Sequence, residues 1–186
     1  MQVKQLLADV MRMVGRPDAA EECQSTAQLS GEAGRMQQAM LLCLNAVTDE
    51  LARGYFPLRT SQKLLASDGR YAFSAFDHAP CRVLSVTCGG REQKWSYSPF
   101  GVLCDAPEAL VEYEYVPEPF ELTDEFSYPD AAVGIPLVCC GVAAEYMLIA
   151  GDTACAEMWE SKYRAEIDRQ LSRSASAGRI PPRRWL

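Results

Sequence analysis

The chain has 186 residues, of which 48% are hydrophobic and 23% are charged. This composition excludes disorder along the whole chain, and the length suits one domain or one domain with a small insertion. The formal net charge of −7 also excludes a protein that wraps nucleic acid by general electrostatic attraction.

The charge is unevenly distributed along the chain. Residues 105–130 contain nine carboxylates and no lysine or arginine, whereas residues 161–186 contain seven basic residues and only Glu166 and Asp168 as acids. The sequence therefore predicts an acidic middle followed by a basic end.

Eight cysteines are spread over the chain, and no two of them have the C-x-x-C spacing of a zinc site. His78 is the single histidine, which excludes a metal site with two histidines. Asp9 and Arg12 interrupt the first apolar stretch, so the N-terminus does not have the pattern of a secretory signal. We expect free thiols in a reducing compartment, the cytoplasm, with no metal and no other cofactor.

Apolar residues recur at helical spacing in two early segments, namely Val3, Leu6, Leu7, Val10 and Val14, and then Met36, Met40, Cys43, Leu44, Val47 and Leu51. Gly15 is placed to end the first helix, and Pro17 follows it. Residues 16–29 have the pattern of a loop with short helical pieces. Ser30 is placed to cap the second helix, and Gly54 to stop it.

After Pro57 the apolar period changes from helical to two. Tyr71, Phe73 and Ala75 alternate with their neighbours, Val83–Cys88 is apolar and β-branched, and Gly89-Gly90 is a turn signal. Farther along, Val111, Tyr113 and Tyr115 face one way, and Glu112 and Glu114 face the other. The pattern predicts a small antiparallel β domain over residues 58–120 with one solvated face.

Residues 121–133 predict an acidic, proline-rich connector. Pro136 suits the first turn of a third helix that runs to about Ala150. Asp152 or Thr153 is placed to cap a fourth helix, whose apolar stripe comprises Ala156, Trp159, Tyr163, Ile167 and Leu171. The predicted fold is α+β: a bundle of about four helices from residues 1–57 and 134–173, an inserted β domain, and an extended arm at 174–186.

The segment Val133–Gly151 is apolar enough to be tested as a membrane span. It contains Pro136 near its start and Glu145 near its centre, and a spanning helix would have to hide that carboxylate. The sequence therefore favours a buried core helix.

One pair of residues could carry catalysis. In Asp77-His78-Ala79-Pro80-Cys81, a histidine close to a cysteine could generate a thiolate nucleophile. Such pairs normally come from distant segments of the chain, so a turn followed by a half-buried cysteine is the favoured interpretation. Nucleotide-binding and hydrolase motifs are absent, and the sequence predicts no enzyme.

The last residues combine charge with apolar bulk. Arg179, Arg183 and Arg184 are basic, Pro181-Pro182 stiffens the segment, and Trp185 and Leu186 are apolar. Tryptophan and arginine often anchor interfaces, but chain ends also fray. Composition alone fits both interpretations.

Three stretches resemble a known family, the head-to-tail adaptor proteins of tailed bacteriophages. They are residues 46–59, a helix that runs into the β domain; 71–86, an aromatic strand followed by Pro80-Cys-Arg-Val-Leu-Ser-Val86; and 135–163. The third is the strongest, because a helix, Gly151-Asp152 and then Ala156…Trp159-Glu-Ser-Lys-Tyr163 is typical of these adaptors. The resemblance extends over residues 36–171. Within the family, the chain is similar to tail tubular protein A and to the siphophage neck adaptors.

The resemblance implies a structural role without catalytic residues. Family members form rings of twelve subunits under the portal, extend the DNA channel and hold the tail or the next neck protein. It implies a location in the virion neck after assembly in the host cytoplasm, with double-stranded DNA passing unbound and no membrane contact. The expected portal-binding residues are Arg179, Ile180, Arg183, Arg184, Trp185 and Leu186, and the expected channel-lining acids are Glu118, Glu121, Asp124 and Glu125.

Three alternatives remain at this point, one of which is a bacterial scaffold domain unrelated to phage and expected to be a monomer or a dimer. A cytosolic thiol enzyme would use Cys81 and His78. Another neck or tail completion protein would also belong to a virion, although such proteins are usually shorter and dominated by β-structure.

Overall fold

The computed structural model describes residues 1–25 and 31–177, which divide into two compact units. Residues 1–48 and 119 onward form the helical unit, and residues 49–118 form the β unit. The described residues contain five α-helices and antiparallel strands, and this confirms the α+β class. The sequence placed the limits of the inserted domain at 58 and 120. The predicted cap Ser30 and the arm from residue 178 lie outside the described residues.

The helical unit begins with α1 (Val3–Met13) and α2 (Pro17–Ser25). The predicted apolar stripe of α1 is buried, with Val14 partly exposed, and Gly15 turns the chain with a φ of +80°. A continuous α2 was not predicted. Its buried residues are Ala19, Ala20 and Cys23, and such small side chains give only a weak periodic signal.

The long helix α3 (Gly31–Glu50) buries its complete predicted stripe up to Val47, and Leu51 just beyond it is also buried. The sequence predicted that this helix runs to Gly54, but the α-helix ends at Glu50. From Leu51 to Tyr55 the chain forms a π-helical turn, in which the Phe56 amide donates to the Leu51 carbonyl at 2.7 Å. The wider turn contains Gly54, so this glycine does not mark the end of the α-helix.

Two further helices complete the unit, α4 (Ile135–Ile149) and α5 (Thr153–Ala177). Pro136 lies in the first turn of α4, as predicted. Asp152 caps α5: its Oδ1 accepts a hydrogen bond from the Cys155 amide at 3.1 Å, and this bond holds the pKa of Asp152 below its usual value. The sequence also predicted a flexible stretch from Ser172 to Gly178, and this is wrong because α5 continues to Ala177. That stretch contains no glycine or proline before Gly178, and alanine favours helix.

The helix α4 lies at the centre of this packing. It contacts α1 and α5, and Gly141 allows α3 and α5 to approach closely. A Cβ atom at Gly141 would lie 2.8 Å from Cγ1 of Val47 and 2.9 Å from Cε2 of Tyr163. Among the residues described, no helix is both long and apolar enough to cross a bilayer. The middle of α4 is buried, whereas Ile135, Leu148 and Ile149 near its ends are exposed.

The β unit contains two antiparallel sheets. The strands are β1 (Leu58–Leu65), β2 (Arg70–Ala72), β3 (Pro80–Cys88), β4 (Arg91–Glu92), β5 (Ser96–Ser98), β6 (Gly101–Leu103) and β7 (Glu108–Tyr115). The larger sheet has the order β1-β7-β3-β4 and the smaller sheet the order β2-β6-β5. The two glycines predicted as a turn, Gly89 and Gly90, join β3 to β4 with positive φ angles of 55° and 76°.

One core joins the two sheets, with Tyr71, Val86, Val102, Val111 and Tyr113 completely buried. The strand predicted over residues 71–76 is shorter than expected: β2 ends at Ala72, and Phe73–Ala75 forms a 3₁₀ turn. Gly101 allows the pairing of β2 with β6, because a Cβ atom there would lie 2.2 Å from the Tyr71 carbonyl oxygen.

Candidate functional site

The four acidic residues expected at a DNA channel lie at the junction of the two units along the chain. Glu118 is the last residue of the β unit. Glu121, Asp124 and Glu125 follow in the helical unit. Glu118, Glu121 and Glu125 are exposed, and Asp124 is half-buried.

The backbone of the acidic segment is fixed to the start of the chain. The Val3 amide donates to the Asp124 carbonyl at 2.9 Å, and the Phe126 amide donates to the Met1 carbonyl at 2.7 Å. These bonds form an isolated antiparallel bridge between Gln2 and Glu125. The exposed carboxylates are therefore carried on an anchored backbone.

The α3 helix supplies a second anchor through one side chain. The Asn45 amide donates to the Phe120 carbonyl at 3.2 Å, while its Oδ1 accepts from the Phe120 amide at 2.7 Å. The rings of Phe120 and Phe126 lie 5.3 Å apart, and Phe126 is buried. The predicted connector is therefore packed on the helical unit.

Asp124 differs from the other three acids. Its Oδ2 accepts a hydrogen bond from the Glu121 amide at 2.7 Å, which is the typical behaviour of aspartate in a turn. Its carboxylate is engaged locally, so the exposed charge of this segment comes chiefly from the glutamates.

The side chains of α5 become more exposed after Ile167. Ile167 is buried, and from Asp168 to Arg173 no side chain is buried. Arg169 pairs with Glu166 one turn earlier, with Nε 2.7 Å from Oε2. The expected portal-binding residues follow this segment, and all six lie outside the described residues.

The structure does not give His78 and Cys81 the arrangement of a catalytic pair. The His78 ring stacks on Tyr115, with centroids 4.3 Å apart and an interplanar angle of 13°. Partial desolvation raises the pKa of the Cys81 thiol, and this outweighs the opposing effect of Arg53. No hydrogen bond joins the two side chains among the described residues. A raised thiol pKa opposes thiolate formation, which nucleophilic catalysis requires.

The other cysteines pack mainly as small apolar side chains. Burial raises the pKa of Cys43 to about 11 and that of Cys139 to about 12. No group of three or more His, Cys, Asp or Glu side chains within the described ranges is placed to hold a metal ion. The thiols of Cys43 and Cys139 are accordingly protonated at neutral pH.

Sequence reasoning missed one buried charge. Glu114 was predicted on the solvated face of β7, yet it is 8% exposed. Arg59 on β1 pairs with it through Nε at 3.1 Å and Nη2 at 3.0 Å, both to Oε1. The two residues are register partners across the strands. Their opposite charges were visible in the sequence, but the pairing of β1 with β7 was not.

The β unit also exposes several large apolar side chains. Tyr97, Phe100 and Leu103 belong to or adjoin the small sheet and are 54%, 71% and 42% exposed. Tyr97 pairs with the buried Val102, whereas Leu103 pairs with Ser96, so Tyr97 and Leu103 lie on opposite faces of the small sheet. Alternation in the sequence indicated strands here, but not that these side chains stay uncovered.

No protein-family model matches the chain, and no curated protein matches it.

Proposed function

We propose that the chain is a structural virion protein, a head-to-tail adaptor whose copies form a ring of twelve under the phage portal. The ring extends the DNA channel and holds the tail or the next neck protein. It is assembled in the host cytoplasm and functions in the virion neck. This proposal starts from the resemblance of residues 36–171 to such adaptors.

The single structural observation that carries the proposal is the end of α5. A helix normally buries an apolar face along its length, whereas the last turns of α5 bury none from Asp168 to Arg173. A helical stretch with no buried apolar side chain suits a segment that reaches another protein. The basic arm continues directly from it, and we propose that this arm binds the portal.

The β unit supports the second contact of an adaptor. Phe100, in the turn between β5 and β6, is 71% exposed, and aromatic side chains are enriched at protein interfaces. We propose that this sheet faces the tail or the downstream neck protein. The same protein would then hold two different partners through two different units.

The acidic segment supports the passage of DNA. Glu118, Glu121 and Glu125 are exposed, and carboxylates repel the phosphate backbone. A channel wall with this charge would let double-stranded DNA slide without binding. Because the backbone of the segment is anchored through Asn45 and the first three residues, the charges would keep their positions while DNA moves past them.

The test is reconstitution with the portal protein of the same phage. We expect cryo-electron microscopy or mass photometry to count twelve copies of the chain on each portal ring. A chain truncated after Gly178 should lose this binding, because twelve arms that engage one ring gain avidity together. A matched control reverses Glu21 to Lys, which changes an exposed charge on α2 and should bind normally. A full-length chain that never binds the portal would contradict the proposal.

A further inference from the structure

A groove of about 320 Å³ lies between the end of α4 and the start of α5. Its apolar lining comes from Ala144, Leu148 and Ala156, and its polar lining includes three carboxylates, Glu145, Glu157 and Glu160. Leu148 is 58% exposed, so a partner seated in the groove would cover apolar surface. We call this feature the acidic groove.

The carboxylates of the acidic groove are only partly compensated. Glu160 pairs with Arg164, with Oε1 2.5 Å from Nε. Glu145 is half-buried, Glu157 is exposed, and neither carboxylate makes a hydrogen bond or ion pair with a residue that the structure describes. Carboxylates beside exposed apolar surface favour a partner that carries both positive charge and apolar side chains.

The C-terminal arm of this chain has that composition. Arg183 and Arg184 supply the positive charge, and Trp185 and Leu186 supply apolar surface directly beside them. Arginine is the cation that pairs best with carboxylates, because its planar group donates two parallel hydrogen bonds. A groove of this volume holds about one or two large side chains, which is the size of the arm's last residues.

Distance along α5 determines which copy supplies the arm. From Glu157 to Ala177 the helix rises about 30 Å. The chain from Ala177 to Trp185 spans at most about 29 Å when fully extended, and it would first have to reverse direction. An arm of the same copy would have to run back along α5 almost fully extended, whereas the arm of a second copy is free of this constraint, so the second copy is the donor that the length favours.

We propose that the acidic groove of one copy binds the C-terminal arm of a second copy. Arg183 and Arg184 face Glu157 and Glu160, while Trp185 and Leu186 cover the apolar lining. Donor arm and acceptor groove are different surfaces, so the contact is head-to-tail, the kind that closes into a ring. The contact itself is independent of the proposed function. One consequence rests on that function: the arm cannot bind the groove and the portal together, so the two compete.

The test uses charge reversal in the full-length chain. A groove variant carries Glu157→Lys and Glu160→Lys, and an arm variant carries Arg183→Glu and Arg184→Glu. In sedimentation velocity we expect the wild type to self-associate and each variant alone to associate at least about tenfold more weakly. A control with Glu21→Lys and Glu92→Lys has the same charge change at exposed sites outside the groove and should behave like the wild type.

Mixing the two variants gives the sharper result. The acidic arm of the arm variant can then bind the basic groove of the groove variant, and we expect association to return. A wild type that stays monomeric at its highest attainable concentration, or a mixture that stays as weak as its components, would overturn the proposal.

Portal binding separates this inference from the proposed function. The groove variant should bind the portal at least as tightly as the wild type does, because its arm is released, whereas the arm variant should lose binding. If the groove variant loses portal binding just as the arm variant does, the groove and the portal do not compete for the arm. If no variant binds the portal but the mixture associates, the arm–groove contact is supported and the adaptor function fails.

Discussion

Both units of the molecule pack around a glycine, but they do so in different ways. In the helical unit, Gly141 lets α4 approach side chains of α3 and α5, Val47 and Tyr163. In the β unit, Gly101 faces the backbone of the neighbouring strand, at the Tyr71 carbonyl. Side chains can rotate away from an added methyl group, whereas a paired strand has little freedom to move. We therefore expect the β unit to tolerate change at its glycine less well.

The largest effect is expected for Gly101→Ala. The added Cβ atom would lie 2.2 Å from the Tyr71 oxygen and 3.0 Å from the Ala72 Cα atom, so β2 and β6 would have to separate. We expect the free energy of unfolding to fall by about 3 kcal/mol, measured by urea unfolding followed through tyrosine and tryptophan fluorescence. Gly54→Ala is the matched control in the same unit, since no atom lies within 4 Å of its added Cβ. Equal stability of the two variants would contradict the backbone argument.

A smaller effect is expected for Gly141→Ala in the helical unit. The added methyl group meets one methyl of Val47 and the edge of the Tyr163 ring, and both can shift slightly. We expect a loss of about 1–2 kcal/mol, partly offset by the better helix propensity of alanine. A double-mutant cycle with Val47→Ala checks the cause, because the smaller residue leaves room for the new methyl group. Simple additivity of the two changes would show that Val47 is not the obstacle.

The third prediction compares two ion pairs that join the same strands. Arg59 pairs with the largely buried Glu114, and Lys63 pairs with the exposed Glu108, whose side chain is 45% exposed. Arg59→Ala leaves a carboxylate without its partner away from solvent and should cost about 1–2 kcal/mol, between the values for exposed and buried pairs. Lys63→Ala should cost at most about 0.5 kcal/mol. Thermal unfolding of both variants checks the ranking, and equal losses would refute it.

The helices were predictable because their apolar stripes are long and regular. The stripe of α3, the proline in the first turn of α4 and the aspartate cap of α5 all follow from local sequence. For α2 only short helical pieces were predicted, because its buried residues Ala19, Ala20 and Cys23 are small and too few to give a clear helical stripe. The end of α5 was misjudged because Ser172–Ala177 was interpreted by its small residues rather than by their helix propensity.

The β unit was predicted less completely, since strand pairing is not local. Alternation indicated that Val111 and Tyr113 are buried, and both are. It could not show that β7 pairs with β1 and β3 or that Glu114 lies against Arg59. For the candidate site, the exposed glutamates were found from the charge run alone. The acidic groove was not, because Glu145 and Glu157 come together only when α4 turns into α5.

The turn at Gly89-Gly90 has a practical consequence for labelling the protein. Both residues are exposed, and no atom would lie within 4 Å of an added Cβ at either one. They connect β3 only to β4, the short strand at the edge of the large sheet. A short epitope or fluorophore-binding sequence inserted there should leave the first three residues in their hydrogen bonds and the C-terminal arm unmodified. Subunits could then be counted in assemblies without a tag at either terminus.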